Sequence, residues 1–153
     1  LPNHLIHPTK PEWLFIMGMI FTPNSYMLID KCANRHKNVS HLYNYGDDTM
    51  IMSTVYDTDF TEDFPPECSA LDAINGVKIT SIKQMVDIIY SSARPLNERV
   101  KAVRESRGLM FTFKNTNSIA IISRDDIESD NEKIINNLGF TKLYHVIAEH
   151  DST

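Results

Sequence analysis

Residues 71–89, LDAINGVKITSIKQMVDII, constrain the fold of this chain more than any other stretch. Asn75-Gly76 sits between two apolar runs, residues 70–74 and 77–79. An Asn-Gly pair in that setting is the strongest short hairpin signal, because both central residues of a type I′ turn need positive φ. The polar pair that follows offers Thr80 or Ser81 as a helix cap. Beyond it, Ile82, Met85, Val86 and Ile89 fall at i, i+3, i+4 and i+7, one apolar face of a helix over 81–90. No catalytic pattern falls in this unit, so it reads as a wall or support.

Around it the pattern is mostly β. Residues 13–21, WLFIMGMIF, read as one strand interrupted by Gly18, where a bulge, a bend or a close backbone approach is expected. The run is too short to span a bilayer. Residues 1–12, with their prolines, read as an extended lead-in. Residues 26–32 suit a short helix, 33–48 an unpatterned loop or insertion, 50–56 a strand and 57–67 an acidic loop. Residues 93–107 form a charged link with a helix inside 96–105. Residues 109–113 and 119–122 read as a hairpin joined by Asn115-Thr116-Asn117. Ser123 or Asp125 then caps a helix running to Leu138, with Gly139 at its C-terminal stop. Residues 140–147 add a last strand or pack back on the body, and 149–153 are a tail.

A length of 153 residues fits one domain with a true core. With 42% hydrophobic and 23% charged residues the chain is globular in composition rather than disordered. The net charge of −5 gives no electrostatic footprint for nucleic acid or an anionic membrane. Cys32 and Cys68 lie far apart and form no CxxC pair, so the expectation is two reduced thiols in an intracellular, reducing compartment rather than a secreted disulfide framework. The chain opens without an initiator Met or a signal-peptide pattern, and reads as a piece excised from a longer protein.

Catalytic patterns are absent from the sequence. No G-x-S-x-G or G-N-S-G-G stretch marks a nucleophile. The six histidines fall in apparent loops or termini. His36 and His41 lack a third ligand in pattern. The pairs Asp47-Asp48, Glu62-Asp63 and Asp125-Asp126 lack the alternating spacing of a calcium loop. No metal or cofactor is implied. The enzyme alternative is a small stand-alone hydrolase of unknown type.

The order of elements resembles a PDZ domain of the DegP/HtrA protease type. IMGM (Ile16, Met17, Gly18, Met19) resembles the loop with which such domains cradle a terminal carboxylate, and LDAINGVKITSIKQMVDII resembles the family's hairpin-helix signature. WLFIMGMIFTP is similar to the start of the second, C-terminal PDZ domain of eukaryotic, plant-type Deg serine proteases, and NEKIINNLGF to that branch's final helix. Asn24 stands where the branch has leucine, and 33–48 and 93–107 are longer than its pattern. The abundance of Asn, Ile and Lys points to an AT-rich genome, as in some protists.

The resemblance implies a mainly β, α+β fold: a partly open barrel or sandwich of five or six strands and two or three helices over 13–148. It implies peptide binding by strand addition, with Ile16, Met17, Gly18, Met19, Ile20 and Phe21 as carboxylate loop and edge strand, and Ile82, Met85, Val86 and Ile89 as the groove helix. Replacing Gly18 by Val is expected to abolish that binding with the fold largely intact. The implied partners are a peptide or protein C-terminus, or neighbouring subunits in a homo-oligomer, since in this branch the domain is associated with assembly and its groove is filled in some cases by the protein's own segments. The catalytic triad would lie in an upstream trypsin-like domain, and this piece would regulate a protease of protein quality control.

Overall fold

Two consecutive residues with positive φ decide how the chain begins. The computed structural model describes residues 11–90 and 98–147. Most of the lead-in, the start of the 93–107 link and the tail lie outside those residues. Met17 has φ 50° and Gly18 φ 103°, which turns the expected single strand into a hairpin, β1 (Trp13–Ile16) and β2 (Met19–Pro23). Ile16 pairs with Met19 across the two-residue turn. The sequence hid this turn because methionine, unlike asparagine, carries no left-handed preference.

The other two-residue turn is as expected. Asn75 has φ 51° and Gly76 φ 80°, between β4 (Ser69–Ile74) and β5 (Val77–Lys78). The Asn75 side chain also clamps the turn to its neighbour, donating from Nδ2 to the Gly108 carbonyl (3.0 Å) and accepting the Met110 N–H (2.5 Å). A Cβ added at Gly76 would meet nothing within 4 Å. Gly76→Val therefore costs only its backbone conformation, about 1–3 kcal/mol. An unchanged melting temperature would contradict the assignment.

Helix α1 spans Tyr26–Arg35, α2 Ile82–Ile89, α3 Glu98–Glu105 and α4 Arg124–Asn137. Ser81 caps α2 by accepting the Gln84 N–H, and Ser123 caps α4 by accepting that of Asp126, which resolves both open cap choices. Strands β3 (Met50–Val55), β6 (Gly108–Phe113), β7 (Ile119–Ser123) and β8 (Tyr144–His145) complete one antiparallel sheet in the order β7-β6-β4-β3-β2-β1-β8, with β5 beside β4. The class is the expected α+β. The described residues hold eight strands and four helices rather than five or six and two or three; the added strands come from the split of 13–21 into β1 and β2 and from β8, two residues long.

One sheet face meets α2 in the main core, which gathers Leu14, Ile16, Met52, Leu71, Phe111 and the apolar stripe of α2. The other face is covered by residues 24–48. Ile29, Cys32, Val39 and Leu42 pack there on Ile51 and Ala70. Coverage on both faces explains why β3 reads as an unbroken apolar run, Met-Ile-Met, instead of alternating. Buried Asn24 fixes this layer, donating from Nδ2 to the carbonyls of Leu42 (3.0 Å) and Tyr45 (3.1 Å).

The two cysteines are not free. Cys32 in α1 and Cys68 before β4 form a disulfide with Cα atoms 6.0 Å apart. The bridge staples the covering layer to the sheet across a separation of 36 residues, too long to leave a local cysteine motif. With it goes the ground for placing the chain in a reducing compartment. At the opposite end, Arg124 ties the helices together. Its guanidinium donates to the carbonyls of Ile88, Ile89, Val103 and Ser106, which lie at the C-terminal ends of α2 and α3 and just past α3, where helix carbonyls lack an i+4 partner. Burial and the nearby Arg107 lower its pKa.

Candidate functional site

The stretch 16–21 folds as a closed corner. Ile16, Met17, Met19 and Phe21 are fully buried and Ile20 half-buried. Each backbone group with a partner at the turn bonds within the chain: Met17 N–H donates to Asn131 Oδ1 (2.7 Å), Met17 C=O accepts from Thr58 Oγ1 (3.1 Å), and Gly18 C=O accepts from Tyr56 N–H (2.7 Å). An amide oxygen of Asn131 thus stands against the N–H that a carboxylate-cradling loop would offer to a ligand.

The expectation of a sheet edge at Met19–Phe21 is corrected by the pairing. β2 runs antiparallel to β1 on one side, from Leu14↔Phe21 to Ile16↔Met19, and to β3 on the other, from Met19↔Val55 to Pro23↔Met50. The hairpin turn at Met17-Gly18 folds β1 back onto the edge that an added strand would need. The outer edge of β1 is covered in turn. Trp13 and Leu14 pair with His145 and Tyr144 of β8, Phe15 N–H donates to the Leu143 carbonyl (2.7 Å), and Ile147 N–H donates to Glu12 (3.0 Å).

Helix α2 packs against both β1 and β2. Ile82 and Met85 are fully buried and Val86 and Ile89 nearly so, all in the main core. At its C-cap, Tyr90 Oη donates to the Phe15 carbonyl and accepts from Asn131 Nδ2 (2.8 Å), while its ring stacks on Tyr144 with centroids 5.8 Å apart. Segment 143–147 and α4 therefore close the space between β1 and α2. Tyr90, Asn131, Leu143 and Tyr144 were not singled out from the sequence. One signal was there: Asn131 and Ile135 are the two buried residues of α4, at i and i+4, so a polar residue occupies the helix's inward stripe.

A family profile described as PDZ domain matches residues 1–144. The chain belongs to the PDZ-domain family. No curated protein matches it. PDZ domains bind extended peptides or other proteins, and an interaction role follows for this one. A cleft of about 400 Å³ lies elsewhere in the PDZ domain, between His36, Lys37, Glu67, Lys114 and Thr116. None of residues 16–21 or of α2 lines it. Among the described residues no three potential ligands gather as a metal site, and no helix is long and apolar enough to cross a membrane.

The buried phenol of the PDZ domain has a pH consequence. Burial pushes the Tyr90 pKa well above the usual tyrosine range, and only the hydrogen bond with Asn131 works against it. Tyrosines of the unfolded chain ionise near pH 10, as a rough reference value. Above that pH the unfolded state sheds protons that folded Tyr90 keeps, so stability is full below about pH 10 and falls as pH rises through the alkaline range. In urea unfolding between pH 8 and 11, Tyr90→Phe should flatten that fall; an identical slope would contradict the burial of the phenol.

Proposed function

We propose that this PDZ domain is a non-catalytic regulatory and assembly module of a DegP/HtrA-type serine endopeptidase, the second PDZ domain of the eukaryotic, plant-type branch. The protease chemistry belongs to a trypsin-like domain elsewhere in the parent, and this domain makes contacts with neighbouring subunits. The observation that supports contact-making over capture of free C-termini is the pairing around 16–21: β2 lies between β1 and β3, and residues 143–145 lie on β1. Residues 16–21 and the groove face of α2 then act as the internal seat of the domain's own C-terminal segment.

Titration of the isotopically labelled chain with a peptide bearing a free C-terminal carboxylate tests this reading. Up to about 1 mM peptide, an affinity of about −4 kcal/mol, amides 16–21 should not shift. Saturable shifts there would favour free peptide capture instead. The parent assignment is tested separately by the parent reading frame, which should carry a trypsin-like domain with a G-N-S-G-G stretch ahead of Leu1.

A further inference from the structure

The sheet has one long free edge, and it lies far along the strand order from the closed corner. β7 is terminal in that order, and among the described residues no strand pairs with its outer side. β8, at the other end, is only two residues long. β7 also presents large apolar side chains to solvent. Ile119 is 57% and Ile121 67% exposed, and Met110, directly opposite Ile121 on β6, is 36% exposed. Exposed strand edges are ordinarily blunted by charge, proline, a bulge or brevity. β7 spans five residues without charge or proline, its pairing with β6 runs without a register shift, and Lys114 is the one charge in residues 108–123.

We propose that β7 is a self-association edge at which a second copy of this chain adds antiparallel to the first, about a two-fold axis near Ala120. In that register Ile119 of one copy faces Ile121 of the other, twice, so both isoleucines are covered by the same patch that exposes them. The charges agree with this direction. Antiparallel pairing brings the turn end of β7, near which Lys114 stands over the Tyr45 ring, beside the other copy's α4 start, where Asp126 adjoins the Asp125–Arg107 ion pair; parallel pairing would set like end against like. A contact of five residues per strand buries less than the roughly 1,200 Å² of a standard interface. The dimer is accordingly weak by itself, with a dissociation constant of order 100 µM, and suited to reinforcing contacts made elsewhere in an assembly.

This names a surface for the subunit contacts proposed above and rests on that reading. The two fail in different places, since peptide capture would be read at residues 16–21 and self-association at 119–123. Sedimentation equilibrium of the chain from about 10 µM to 1 mM should show a reversible monomer–dimer equilibrium, and amides 119–123 should shift on dilution. Ile121→Lys, at an exposed site, should weaken the association at least tenfold with the melting temperature retained, and Ile119→Lys should do the same. A chain that stays monomeric up to 1 mM would overturn the proposal, as would a dimer indifferent to both lysines.

Discussion

Replacing Cys32 and Cys68 together by alanine should lower the free energy of unfolding by about 4 kcal/mol, the value expected for opening a loop of this length in the unfolded chain. The bridge spans 36 residues and joins two buried side chains of the second cluster. The loss should also be local in character. Residues 24–48 are held on the sheet by that cluster, by Asn24 and by the disulfide, so their amides should gain exchange first while β6 and β7 keep theirs. Urea unfolding of the oxidised chain against the double variant measures the effect. A difference below about 1 kcal/mol, under the usual range for native disulfides, would mean that the layer stands without its staple.

Gly18→Val should destabilise the fold by roughly 3–5 kcal/mol, the sum of a left-handed backbone forced on a β-branched residue and a clash in a packed corner. Gly18 has φ 103°, and a Cβ there would lie 2.8 Å from Thr58 Cγ2 and 3.2 Å from the Tyr56 carbonyl oxygen. Thr58 has room to give way only by leaving its bond to the Met17 carbonyl; the Tyr56 backbone is fixed by its own bond to Gly18. The fold-neutral outcome expected from the sequence is thus corrected. The same change at Gly76, where the space is open, isolates the backbone cost, so Gly18→Val should exceed Gly76→Val by about 2 kcal/mol. Equal effects would remove the steric argument.

What the sequence made legible was local. The Asn75-Gly76 turn, the apolar stripe of α2 and the β6–β7 hairpin rest on patterns local in sequence, and each is present in the structure. What stayed hidden is held together at long range. Met17 adopts φ 50° because Asn131, 114 residues away, receives its N–H, and nothing beside Met17 in the sequence announces that. The disulfide joins α1 to the residue before β4 without a motif. β8 is two residues long and forms against β1 across about the whole length of the described chain, where pairing rather than propensity selects the strand. Of the candidate site, the sequence marked 16–21 and α2 as facing walls, and α2 packs on β1 and β2. Whether its edges were open depended on partners from the C-terminal end.

The chain's own C-terminal part seals β1 and the 16–19 turn. Amide hydrogen exchange at Phe15 and Met17 tests it most directly, because those two N–H groups donate to Leu143 and Asn131. Both should exchange as slowly as the amides paired between β2 and β3, and Asn131→Ala should speed Met17 selectively. Exchange of Phe15 and Met17 at the rate of an open strand edge, unchanged by that substitution, would contradict it.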